Sequence, residues 1–211
     1  LEQVKKYKLQ YQKVLLGEQK ILLNNNIISL QYIKNKIKAY SVDPNDLMKN
    51  LEYKNEFLSN YTQIIALYRL GKYDLAQKKL SLIKNQYEKY PFFSELKGDI
   101  YYKEGKFNTA INEYEKAIQT LQEVFSPSTD LIKFSLIKTY LQTNNSANLN
   151  KSIILLEELL LNNPNWSYLW RLLSKASGKL NKKGMAYIAL AEEALIKKNF
   201  IKAKKYVDLA N

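Results

Sequence analysis

Large side chains recur at fixed places along this chain, with small ones between them. In a 34-residue frame covering 57–90, places 11, 24 and 27 hold Leu67, Leu80 and Ile83; in the next frame, 91–124, they hold Tyr101, Tyr114 and Ala117. Between the apolar sets stands a polar break. It reads YRLGKYDLA (68–76) in the first frame and YKEGKFNTA (102–110) in the second, and the two align without a gap. Apolar spacings of three and four residues predict helices with one buried face, and a glycine-containing polar break predicts a turn. Each frame is therefore expected to be an antiparallel helix pair. Gly71 and Gly105 would close the first helix, Tyr73 and Phe107 plug the corner, and Ala76 and Ala110 let the second helix pack close. Gly98, inside a predicted helix, is the small residue expected to face the partner helix.

The pattern continues less regularly. A third unit is expected, with a first helix over 131–142 and a second over 151–164. Ser152 stands where Ala110 stood, Leu156 and Leu159 repeat the places of Tyr114 and Ala117, and Pro164 ends the unit. The turn 143–150, rich in Asn, is read as about three residues longer than its counterpart in the second frame. FSPSTD (125–130) breaks the preceding helix and offers several N-caps. A fourth unit has helices over 167–177, with Trp170, Leu173 and Ser174 at packing places, and over 184–198, with Ala186 at the place of Ala110. In 199–210 the corner recurs a half-step later, with Phe200, Ala203, Val207 and Ala210. That helix would cap the array. Residues 1–55 fall outside the frame. They predict helices over 2–23 and 27–40, separated by NNN (24–26), and a short helix over 44–55 with Asp43 as N-cap and Pro44 at its first position.

A 34-residue helix pair resembles the tetratricopeptide repeat in length and in its small-residue places. The expected fold is all-α, a right-handed superhelical solenoid of about four such units over 56–211 with a capping helix. Residues 1–55 would be an N-terminal helical extension or a linker.

Composition narrows the chemistry. With neither Cys nor His in the 211 residues, a Cys/His zinc cluster, a Ser-His-Asp triad and a Cys-His dyad are excluded, and no metal or other cofactor is expected. The net charge is +13, yet only Arg69 and Arg171 are arginines among 33 basic residues. Nucleic-acid readers lean on the forked arginine donor, so no nucleic-acid partner is expected, and an RNA-binding helical repeat of similar period is the weaker alternative. A weak contact between the lysine-rich C-terminal helices and an acidic surface or membrane stays open. No apolar run reaches 18 residues, so no membrane-spanning helix is expected. The chain opens on Leu1 rather than Met and shows no signal peptide there, which suggests a fragment or a processed product.

Three stretches carry a more specific resemblance. NYTQIIALYRLG (60–71), PFFSELKGDIYYKEGKFNTAINEYEKAI (91–118) and LWRLLSKASGKLNKKGMAYIALAEEALIKKNFIKAKK (169–205) resemble the C-terminal repeat domain of bacterial zinc metallopeptidases. These are relatives of the periplasmic β-barrel assembly-enhancing protease, of alphaproteobacterial type. The resemblance covers about 60–211, and residues 1–55 match poorly. Ser177 stands where that family usually has Tyr, so the turn before Gly178 is expected to pack less tightly. The His-Glu-x-x-His zinc helix is absent. The resemblance implies a periplasmic setting and a non-catalytic part in outer-membrane protein quality control, binding an unfolded client or a component of the assembly machinery. A free-standing adaptor of the same fold is the alternative, and the oligomeric state is open.

In such an array the first helix of each pair lines the concave side. The residues expected to face a peptide there are Tyr61, Ile65, Tyr68 and Arg69, then Phe92, Glu95, Asp99, Tyr102 and Lys103, then Phe134 and Lys138, and finally Tyr168, Arg171 and Lys175. Aromatic anchors with charges of both signs suit an extended or helical peptide. Arg171 has a competing role, an ion pair with Glu192 that would hold the last helices in register.

Overall fold

The computed structural model describes residues 27–49, 56–83, 90–124 and 128–210. The helix expected over 2–23, the NNN break after it and the end of the short helix at 50–55 lie outside these residues. Among the described residues there are eleven helices and no strand. They are α1 (27–41), α2 (Pro44–Lys49), α3 (Glu56–Arg69), α4 (Tyr73–Ser81), α5 (Pro91–Lys103), α6 (Phe107–Val124), α7 (Asp130–Tyr140), α8 (Ser146–Asn162), α9 (Ser167–Lys179), α10 (Lys183–Ile196) and α11 (Phe200–Ala210). The protein is an all-α helical repeat.

Four of the inter-helix turns share one hydrogen-bond device. Gly71 takes φ +71° and its amide donates to the Tyr68 carbonyl (3.0 Å), while the Lys72 amide reaches back to Leu67 (2.9 Å). This pair of bonds satisfies the carbonyls that a helix end leaves open. The Lys72 carbonyl then accepts from Ala76 (3.0 Å), so one residue finishes α3 and starts α4. The same pairs recur at Gly105 and Lys106, at Asn181 and Lys182, and at Lys198 and Asn199. In each case the alanine four residues on, Ala110, Ala186 or Ala203, donates to the shared residue. Asn181 (φ 62°) and Lys198 (φ 56°) occupy the left-handed conformation without the freedom of glycine.

Contacts group the described residues into two compact units, one holding residues up to Leu96 with 117–124, the other holding 97–116 with 128–210. In the first, α3 packs on both α2 and α4, with Ala76, Leu80 and Ile83 buried. The cap predicted at Asp43 forms: the Asn45 amide donates to Asp43 Oδ1 (2.8 Å). That bond holds the Asp43 carboxyl below its usual value. In the second unit, consecutive helices from α7 to α11 pack pairwise. Its core runs through Ile137, Leu156, Leu159, Leu169, Leu173 and Ala189. Gly98 lets α5 and α6 approach closely, since a Cβ there would lie 2.7 Å from the Tyr114 ring. The Tyr114 hydroxyl donates across the same seam to Asp99 (2.6 Å).

Three expectations need correction. The long turn 143–150 does not exist as such, because α8 begins at Ser146. Asn145 is its N-cap, and its side chain accepts from Ala147 (2.8 Å) and Asn148 (3.2 Å). The supposed extra residues therefore form the first turn of the helix. Ala186 is half-buried, and the tight contact of α10 falls one turn later at Ala189, which is 1% exposed. Phe200 and Val207, expected at packing places, are exposed, and only Ala203 of that set is buried.

Candidate binding surface

In the first unit, the residues predicted to line a groove are covered by α1. Tyr32 stacks on Phe92 (4.4 Å between ring centroids) and meets Tyr61 edge-on at 5.0 Å. Tyr61 and Ile65 are fully buried, and Phe92 is buried too. Glu95 forms an ion pair with Lys36 on α1 (2.6 Å). Arg69 donates to the carbonyls of Ala39 (2.6 Å) and Val42 (2.5 Å), closing the C-terminal end of α1. Its guanidinium lies over the Tyr40 ring. Tyr68 is half-buried and its ring contacts Tyr73 at the corner. The expectation of an open groove at Tyr61, Ile65, Arg69, Phe92 and Glu95 is thus corrected, because a helix of the same chain occupies that face.

In the second unit the corresponding face is open. Side-chain contacts link its first helices in a row. Gln142, just after α7, reaches the Tyr102 hydroxyl at the end of α5 (3.5 Å). Phe134 on α7 stacks on Trp166 (5.0 Å) and meets Tyr168 of α9 at 5.9 Å. Lys179 donates to the Leu141 carbonyl (2.7 Å). Along this row Lys138 sits over the Phe134 ring (4.8 Å), and Lys103, Tyr168, Arg171 and Lys175 are exposed. Asp99 is half-buried and engaged by Tyr114. The row is thus a band of aromatic rings edged with cations.

Arg171 is anchored from behind. Its Nε donates to Glu193 Oε2 (3.0 Å) and its Nη2 meets Oε1 (2.7 Å), a forked pair between α9 and α10. The partner is Glu193, not the expected Glu192. Glu193 is 4% exposed and also holds Lys197 one turn on (2.5 Å). Burial pushes its carboxyl up, but hydrogen bonds from Arg171 and Lys197 outweigh that and hold it below the usual range. Trp170 and Pro164 act structurally: the indole Nε1 donates to the Pro164 carbonyl (2.8 Å) and fixes the α8–α9 corner.

The helix expected over 27–40 forms as α1, but its place over the first-unit face was not foreseen, nor was Trp166, whose ring completes the aromatic band. Trp166 lies in the corner before α9, outside the repeat's packing places. The Ser177 side chain is fully buried, and its hydroxyl has no hydrogen-bond partner among the described residues.

Among comparisons with known proteins, a family model described as a tetratricopeptide repeat-like domain matches residues 63–138. No curated protein matches the chain significantly. The matched stretch runs from α3 through most of α7. The chain therefore carries a tetratricopeptide-like repeat, a scaffold class that serves protein–protein contact.

Proposed function

We propose that this chain recognises a polypeptide without catalysing its reaction, and that the recognition face is the aromatic and cationic row on α5, α7 and α9. The observation that carries the reading is the arrangement of Phe134, Trp166 and Tyr168 beside Lys138, Lys175 and Arg171. Aromatic rings supply contact area at small entropic cost, and exposed cations select acidic side chains and set orientation. The favoured ligand is an extended segment bearing acidic and aromatic residues, such as an unfolded client would present. The stretches 60–71, 91–118 and 169–205 support a finer reading. On that reading the chain is the client- or partner-binding part of a periplasmic zinc metallopeptidase engaged in outer-membrane protein quality control.

Two measurements test these levels separately. Fluorescence anisotropy with a labelled acidic, tyrosine-containing peptide should give binding that weakens as salt is raised. The Lys138→Glu, Lys175→Glu double variant should weaken it about tenfold or more; unchanged affinity overturns the surface assignment. Mass and sequence analysis of the native polypeptide tests the setting. A His-Glu-x-x-His helix in the same polypeptide supports the metallopeptidase reading, and its absence leaves a free-standing adaptor.

A further inference from the structure

A groove of about 610 Å³ lies in the second unit between α8, α9 and α10, away from the aromatic row. Its floor is made by Leu160, Leu173 and Ala189, all buried. Trp170 and Met185 form its walls. On α9, Trp170 and Leu173 stand on the side opposite Tyr168, Arg171 and Lys175, as the helical period requires. The two faces are therefore independent surfaces on one helix.

We propose that this groove docks a cationic amphipathic helix of a partner protein. Three observations favour that occupant. First, the groove continues onto exposed apolar residues at both lips: Leu161 is 83% exposed on α8 and Ile188 is 54% exposed on α10. Large apolar side chains left in water around an apolar hollow mark an interaction site. Second, a trough between packed helices accepts the apolar ridge of another helix, read as anchors three and four residues apart. Third, the charge is inverted relative to the rest of the chain. The protein carries a net charge of +13, yet the one charged residue lining the groove is Glu157. Glu192 stands on α10 one turn beyond Ile188. Neither carboxylate is in an ion pair among the described residues. An anionic lipid would be repelled by both carboxylates. A helix with leucine-like anchors flanked by lysine or arginine meets both the apolar floor and lips and the Glu157 carboxylate among them.

The test uses the full chain and two short synthetic helices of one pattern, leucine at every third or fourth place, with lysine elsewhere in one and glutamate in the other. The lysine peptide is expected to bind despite the net positive charge of the protein, and the glutamate peptide to bind about tenfold more weakly or worse. Leu161→Ser and Ile188→Ser should each weaken the lysine peptide severalfold, and Glu157→Lys should do the same. Both apolar positions are exposed, so the variants are expected to fold; if circular dichroism shows that one does not, the other carries the test. The proposal is overturned if the lysine peptide fails to bind, if both peptides bind equally, or if these variants leave its affinity unchanged. Concentration-dependent dimerisation abolished by Ile188→Ser would likewise overturn it, assigning the groove to a second copy.

Discussion

The first helices of two repeat pairs, α3 and α9, place comparable residues on comparable faces, yet the outcomes are opposite. On α3, Tyr61 is 1% exposed beneath α1; on α9, Arg171 is largely in solvent. The two arginines show the contrast most clearly. Arg69 is used internally, donating to two carbonyls at the end of α1, whereas Arg171 is held by Glu193 with its outer side open. A repeat position fixes the direction in which a side chain points. Whether that direction ends in water is decided by what the rest of the chain lays over it. In the first unit α1 acts as a built-in occupant, held by aromatic stacking, an ion pair and capped carbonyls.

Breaking the covered side should have the largest effect. Tyr32→Ala removes the ring that joins Tyr61 and Phe92. It should cost about 3–5 kcal/mol in chemical denaturation, and peptide binding by the second unit should survive. Overpacking the α5–α6 seam comes next. Gly98→Leu drives a side chain into the Tyr114 ring and should lower stability by about 1–3 kcal/mol; an unchanged thermal midpoint would contradict the seam. The two arginines then separate. Arg69→Ala strips donors from the Ala39 and Val42 carbonyls and should cost about 2 kcal/mol. Arg171→Ala should cost about half as much, because the arginine is solvent-screened and Lys197 still holds Glu193. The smallest effect is in the pH profile. The folded pKa of Glu193 lies below its unfolded value, so its contribution is complete above about pH 4.3 and is lost as pH falls through the lower folded value. Glu193→Gln should flatten the acid limb of a stability–pH curve, leaving the neutral slope alone.

The repeat itself was legible because glycine is rare here and marks the turns at Gly71 and Gly105. The turns at Asn181 and Lys198 adopt positive φ without glycine; the alanines after them hinted at the kinship, and the hydrogen bonds around them show it. The start of α8 was misplaced because a run of asparagines reads equally as loop or as cap, and Asn145 proved to be the cap. Arg171 was matched to the neighbour of its true partner. Glu192 and Glu193 are adjacent in sequence but differ by about 100° around the helix, and only packing of α10 on α9 selects between them. The helix over 27–40 was legible as part of an N-terminal extension, but not which face of the first unit it covers, since a frame built from repeats says nothing about where a helix outside it lies. The groove beside Trp170 was equally hidden. Its lips, Leu161 and Ile188, are apolar residues that a pattern assigns to a core.

Hydrogen–deuterium exchange on the full chain, with and without the acidic, tyrosine-containing peptide, tests the central contrast most directly. The account predicts slowed exchange on bound peptide in 131–142 and 167–179, with 60–69 unchanged because α1 already covers that face. Protection at 60–69 with none in α7 and α9 would mean that the peptide displaces α1, and would contradict the assignment of the open row as the recognition face.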